Sequence, residues 1–182
     1  MALQIENFIL LNYIPEIGET SVVVPQTVMS VVREAFANCR ELERVIFHDG
    51  IEAIFDMTFY GCSNLRFVVL PQSTVTLGSK VFAGCSHLND VVLPTGIVSM
   101  GKGTFDGCTS LESIVIPDMI TDIEEATFRN CANLRSVVLP ARLRSIGREA
   151  FAGCVSLESI VIPGGVISVA RDAFKGCPKL KD

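Results

Sequence analysis

The sequence predicts an α/β repeat solenoid, in which short strands stack in parallel and a short helical turn closes each coil. All seven cysteines recur at an interval of 23 residues, from Cys39 to Cys177. A phenylalanine stands three residues before each cysteine, and a leucine stands three residues after it. A fixed period between about 20 and 50 residues is typical of solenoids, whose units bury their apolar faces only against neighbouring units.

The composition is that of a folded chain with a mildly acidic surface. Apolar residues make up 49% of the 182 positions and charged residues 19%, which excludes a disordered chain. The formal net charge of −5 would repel phosphate groups, so we expect neither nucleic acid nor a membrane as a partner. No apolar run approaches the roughly 20 residues that cross a bilayer.

The period divides the chain into a cap and a solenoid. Glu16 and Glu19 stand where the first cysteine and leucine would be, so the first unit is degenerate. We predict an N-terminal cap at residues 1–21 and a solenoid at residues 22–182. The degenerate first unit covers 16–38, the six complete units cover 39–176, and the truncated last unit covers 177–182. Terminal units of solenoids are atypical because they close the core against water.

Each unit begins with a predicted strand. The positions six and eight after the cysteine are apolar, as in Val91 and Leu93, and this spacing places both side chains on one face. A proline such as Pro94 follows in five units and ends the strand, because it has no N–H group for a ladder. A second apolar pair comes next, as in Ile97 and Met100.

The end of each unit predicts a short helical turn. In the fifth complete unit the turn contains Ala150 and Phe151 and is closed by Gly153, just before the next cysteine. Glycine or asparagine occupies this closing position in every unit, and both tolerate a positive φ.

The repeating pattern Cys-x-x-Leu-x-x-Val-x-Leu-Pro-x-x-Ile-x-x-Ile-x-x-x-Ala-Phe-x-Gly resembles the BspA-like leucine-rich repeat, the 23-residue class described from treponemal surface proteins. The resemblance covers about residues 25–182. It implies a right-handed, curved solenoid with a parallel sheet on the concave side. It also implies a binding surface, often one that meets host proteins at a cell surface.

The regular cysteines are predicted to be buried thiols rather than metal ligands or disulfides. Zinc needs ligands that converge tetrahedrally, whereas these side chains would form a line with parallel directions. Neighbouring cysteines would be close enough for disulfides, but parallel Cβ vectors suit that bond poorly, and seven is an odd number. We therefore expect no metal and no cofactor.

An outward stripe of apolar residues is the main functional candidate. The residue seven after each cysteine lies between two inward residues, so it must point away from the core. The predicted partner-binding residues are this stripe with its polar and aromatic border: Ile46, Val69, Val92, Val115, Val138 and Val161, with Arg66, Phe67 and Arg135. Large apolar patches usually mark interaction sites. The alternative is that valine here serves only strand propensity and stacking between strands.

The predicted function is a non-catalytic scaffold that binds another protein through its concave sheet. The alternative is a structural subunit or spacer held end to end in a larger assembly. An enzyme is a distant third possibility, because no nucleophile, base and orienting group can be assembled around His48 or His87.

Both ends of the sequence carry further expectations. Residues 1–14 lack a basic leader, which favours an intracellular location, whereas a trimmed leader would favour the cell surface. The sequence stops before the strand that would follow Cys177, and no equivalent cap follows. We expect the last coil to meet a second copy, another subunit or a downstream segment.

Overall fold

The computed structural model describes residues 2–181. At the N-terminal end, β1 (Ala2–Glu6) and β2 (Ile9–Ile14) form an antiparallel hairpin. Leu10 and Tyr13 of β2 are buried against the first unit, because β2 also pairs in parallel with a strand of that unit. The hairpin therefore covers the open face of the first coil.

Beyond the hairpin, seven units stack with a register of 23 residues, so that Val45 lies beside Val68 and Val68 beside Val91. The first strands of the units are β3 (Ser21–Val23), β5 (Arg44–Ile46), β7 (Phe67–Val69), β9 (Asp90–Val91), β11 (Ser113–Val115) and β13 (Ser136–Val138). The second strands are β4 (Ser30–Val31), β6 (Ala53–Ile54), β8 (Thr76–Leu77), β10 (Ser99–Met100), β12 (Asp122–Ile123), β14 (Ser145–Ile146) and β15 (Ser168–Val169).

The first strands and the second strands form two separate sets of parallel sheets. First strands pair in the order β3-β5-β7-β9 and then β11-β13. Second strands pair in the order β6-β8-β10 and then β12-β14-β15, while β4 pairs with β2. The chain is thus a parallel-strand β-solenoid with two strands in each unit up to residue 153 and one, β15, in the unit 154–176.

The prediction of short helical turns, and with it the α/β class, is wrong. Residues 2–181 contain no helix. In the segment before each cysteine, left-handed residues interrupt any right-handed helix, as at Lys80 (φ 55°) and Gly84 (φ 78°). The N–H groups of Phe82 and Gly84 instead donate to carbonyls of the next unit, Thr104 O and Asp106 O, both at 2.8 Å. The predicted positive φ just before the cysteine is confirmed, for example at Gly153 (φ 77°).

The predicted strand at residues 160–162 is also absent. This segment makes no backbone hydrogen bond with β13, and no later unit within residues 2–181 flanks it. Without a partner on either side, three residues have no ladder to join.

The core is a column of phenylalanine rings beside a column of thiols. From Phe36 to Phe174 the rings stack with centroids 5.2–5.5 Å apart. Each thiol after the first donates to a phenylalanine carbonyl of the preceding coil, as from Cys131 Sγ to Phe105 O at 3.1 Å. The same carbonyl accepts the N–H of Cys108, also at 3.1 Å. Cysteine therefore supplies a buried donor as well as packing volume.

Candidate partner-binding face

The stripe is the set of outward residues at the centre of the first-strand face: Val23, Ile46, Val69, Val92, Val115, Val138 and Val161. Its exposed fractions are high in the later units, reaching 71% at Val92, 65% at Val115 and 81% at Val161. Ile46 is half-buried. The neighbours of Val92 in sequence, Val91 and Leu93, are both buried, so the alternation of a strand places the stripe in solvent.

The border of the stripe is most developed beside β5 and β7. The Arg44 guanidinium lies over the Phe67 ring, 5.1 Å from its centroid, because the two residues are directly opposite in the parallel register. Arg66 and Arg135 are exposed, and Phe67 is half-buried. The sequence analysis did not identify Arg44 as a partner of Phe67. The two residues are 23 positions apart, one full repeat, and this spacing could have indicated that they are neighbours.

Two grooves lie along the stripe and are lined by its residues. A groove of about 400 Å³ lies between β9 and β11; Val92 and Val115 line it with Thr95, and Asp90 and Asp118 give it a negative border.

A second groove, of about 450 Å³, lies between β13 and residues 159–161 and is lined by Val138 and Val161. Both grooves occur where no backbone hydrogen bonds join the first-strand segments of neighbouring units. The face thus offers apolar recesses as well as an apolar ridge.

The face formed by the second strands is less uniformly apolar. The equivalent outward positions, one in each unit, are Met29, Glu52, Val75, Val98, Thr121, Arg144 and Ile167. Three of these seven side chains are polar or charged, whereas the stripe has none. A continuous apolar surface is therefore a property of the first-strand face.

The chemistry of the chain lies away from this face. Burial raises the pKa of the Cys85 thiol and of the Cys108 thiol well above the ordinary cysteine value of 9.0. Both thiols therefore stay protonated and are poor nucleophiles. Among residues 2–181, no three His, Cys, Asp or Glu side chains are grouped so that they could hold a metal ion. The same part of the chain has no helix able to cross a membrane.

Comparison with known proteins finds a match to one family of leucine-rich-repeat proteins. The family model of the BspA type leucine rich repeat region matches residues 16–133 and 52–181, with six copies. Comparison with curated proteins finds no significant match.

Three solved structures are similar over most of the chain. A leucine rich repeat protein of T. pallidum is 30% identical, with a TM-score of 0.87 over 96% of this chain and 83% of that one. A leucine-rich repeat protein of Bacteroides ovatus is 28% identical, with a TM-score of 0.86 over 89% of this chain and 44% of that one. A leucine rich cell surface protein of Faecalibacterium prausnitzii is 26% identical, with a TM-score of 0.85 over 90% and 47%.

The chain spans less than half the length of the B. ovatus and F. prausnitzii proteins. The match to the family model nevertheless extends over nearly all of the chain, from residue 16 to residue 181. The recurring cysteine, phenylalanine and leucine positions occupy the same place in every coil of the structure. The chain therefore belongs to the BspA-type leucine-rich-repeat family.

Proposed function

We propose that the chain is a non-catalytic scaffold that binds another protein through its first-strand face. The observation that carries this proposal is the apolar stripe, one residue in each of seven coils and exposed except at the half-buried Ile46. At a spacing of about 4.8 Å between coils it extends over roughly 30 Å. Soluble proteins rarely leave such a large apolar surface uncovered. The polar and aromatic border, with Phe67 under Arg44, matches the usual composition of protein interfaces.

The test replaces Val92, Val115 and Val138 together by threonine. Threonine keeps the branched Cβ, and these side chains are exposed, so the fold should persist. Each change replaces a methyl group by a hydroxyl at the centre of the proposed interface. We expect the affinity for a partner captured from the native source to fall by about 2 kcal/mol, or roughly 30-fold.

The matched control changes the other face. Val75 and Val98 are 40% and 48% exposed on the second-strand face, and their replacement by threonine should leave binding unchanged. Adding Arg66→Ala and Phe67→Ala to the stripe variant should weaken binding further, since arginine and aromatic residues dominate hot spots. If a partner binds the stripe variant as tightly as wild type, the stripe serves only to stack neighbouring strands and is not a binding surface.

A structural subunit, joined through its last coil, is the second candidate function. Val169 is 44% exposed, whereas its equivalent one unit earlier, Ile146, is 1% exposed. Ile162 and Ile167 are exposed in the same region, at 41% and 82%. We propose that a second copy or another subunit covers this surface in the assembled state, and sedimentation at micromolar concentration tests it. If the protein remains a monomer throughout that concentration range, self-association through the last coil is excluded.

The F. prausnitzii relative is described as a cell surface protein. Display at a cell surface is therefore an alternative to the expected intracellular location. Fractionation of the source cells, with protease added to intact cells, distinguishes the two: only a surface protein would be degraded before lysis.

A further inference from the structure

The two grooves along the stripe occupy equivalent places in the repeat. Val92 and Val115 line the first groove, of about 400 Å³, and Val138 and Val161 line the second, of about 450 Å³. Each valine of the second groove stands two repeats after its equivalent in the first. All four valines are exposed. The central apolar contacts of the two grooves are therefore equivalent, and the grooves differ in their borders.

The borders of the two grooves differ in charge. Asp90 and Asp118 line the first groove, whereas the equivalent residues two repeats later are Ser136 and Gly164. Among residues 2–181, no lysine, arginine or histidine lines either groove. The first groove is therefore acidic, and the second is uncharged.

The two carboxylates lie at opposite ends of the first groove. Asp90 stands two residues before Val92, so the alternation of a strand points both side chains to the outer side. Asp118 stands three residues after Val115, beyond the end of β11. In the register of the repeat Val115 is level with Val92, so the two valines lie between the carboxylates. A segment that follows the groove would meet an acid, an apolar contact and a second acid.

The fold itself does not use either carboxylate. Both side chains are exposed, and within residues 2–181 neither Asp90 nor Asp118 makes an ion pair or a side-chain hydrogen bond. Asp49, the equivalent of Asp118 three repeats earlier, instead accepts the Gln72 N–H of the next unit at 2.8 Å. The Arg142 guanidinium, one unit beyond Asp118, contacts Met119 Sδ at 3.8 Å. Both carboxylates of the groove are therefore available to a ligand.

The negative charge is confined to the two units that flank this groove. Segments 89–95 and 112–118 carry three carboxylates, those of Asp90, Glu112 and Asp118, and no basic residue. The equivalent segments on either side, 66–72 and 135–141, each carry one arginine and no acid. Complementary charge steers partners to an interface and selects among them. A partner seated on the stripe should therefore bring positive charge to this groove.

We propose that the groove between β9 and β11 binds an extended segment of the partner protein with a basic residue on each side of an apolar one. The apolar side chain packs on Val92 and Val115, and the basic groups pair with Asp90 and Asp118. Arginine fits this role best, because its guanidinium is weakly hydrated and its stem packs along apolar surface. The assignment rests on the proposed function, since the segment belongs to the protein that the stripe binds.

A synthetic peptide tests this recognition without the natural partner. The probe is the hexapeptide Arg-Thr-Val-Ser-Thr-Arg, acetylated and amidated at its ends. Its arginines are separated like Asp90 and Thr95, the residue level with Asp118, and its valine corresponds to the level of the stripe. The same peptide with glutamate in place of arginine is the charge control.

NMR titration at low salt, with millimolar peptide, follows the methyl groups of the groove valines. We expect the arginine peptide to shift Val92 and Val115 and to leave Val138 and Val161 unchanged. Added salt should weaken the binding, because the paired charges lie at the surface. The glutamate peptide should not bind.

Paired substitutions test the two carboxylates. Asp90→Asn with Asp118→Asn should weaken peptide binding by at least about tenfold. The matched control, Glu43→Gln with Glu158→Gln, removes the same charge from exposed positions of the same face outside the groove. Binding to this control should stay within about twofold of wild type, because screening weakens distant charges.

The reverse variant transfers the acidic border to the second groove. Ser136→Asp with Gly164→Asp places carboxylates at the equivalent positions. Ser136 is exposed, and a Cβ on Gly164 would meet nothing within 4 Å, so the fold should persist. We expect the arginine peptide to shift Val138 and Val161 in this variant as well.

Absence of shifts at Val92 and Val115 would overturn the groove as a site for such a segment. Equal binding of the glutamate peptide, or an equal loss in the Glu43 and Glu158 control, would overturn the role of the two carboxylates. Failure of the proposed function is distinguishable. A stripe variant that keeps its protein partner refutes that function and leaves peptide binding to wild type intact, whereas a peptide that does not bind leaves the partner experiment unaffected.

Discussion

Alkaline pH should destabilise this protein steeply, because its buried thiols keep their protons in the folded state. Five cysteines are buried in the middle of the stack: Cys62, Cys85, Cys108, Cys131 and Cys154. Burial raises the pKa of Cys62 and of Cys154 from 9.0 to about 12, and raises that of the other three well above 9.0. The unfolded chain, in contrast, releases these protons near the ordinary value.

The raised pKa of the thiols in the folded state determines that stability falls, rather than rises, at alkaline pH. A raised pKa in the folded state means that the stability is fully present below the unfolded value and is lost as the pH rises towards the folded value. One unit above the unfolded value, near pH 10, each thiol lowers the free energy of unfolding by on the order of 1 kcal/mol. The five thiols together lower it by several kcal/mol, which is a large part of the total stability of many domains.

Urea denaturation in the presence of a reductant, repeated at steps between neutral pH and about pH 10, measures this loss. Ultraviolet absorbance of the folded protein reports thiolate formation over the same range. Cys108→Ala is the control: whatever its effect at neutral pH, it should make the loss of stability with rising pH less steep, by on the order of 1 kcal/mol per pH unit. A denaturation midpoint that does not change with pH, or thiols that ionise near 9 in the folded protein, would refute the reasoning.

Two further predictions concern packing in the stack. Phe105→Ala should lower the free energy of unfolding, measured by urea denaturation, by about 3 to 5 kcal/mol, because this ring is fully buried between two others. Phe174→Ala should lower it clearly less, because that ring is half-buried and stacks on only one side. Equal losses would contradict the account of the phenylalanine column. Gly153→Ala should cost more than about 1 kcal/mol, since φ is 77° and the new Cβ would lie 2.8 Å from Asn130 Oδ1. Adding Asn130→Gly should recover part of that loss, and no recovery would show that backbone strain alone is responsible.

Local pattern determined the arrangement within one coil. The interval of 23 residues, the inward pair such as Val91 and Leu93, and the outward residue between them all follow from burial and the alternation of a strand. The positive φ before each cysteine was readable because only glycine and asparagine occur there. These features depend on one coil and its repetition, which a single sequence contains.

Contacts between coils decided the rest. The helical-turn prediction failed because a second left-handed residue, such as Lys80 or Ala126, carries no distinctive residue type and is held by a backbone hydrogen bond to the next coil. The pairing of Arg44 with Phe67 depends on register, and the groove between β9 and β11 depends on the distance between two backbones. A sequence pattern records which side chains face inward, but the approach of neighbouring coils is the combined result of packing on all their sides, and only the tertiary structure contains that result.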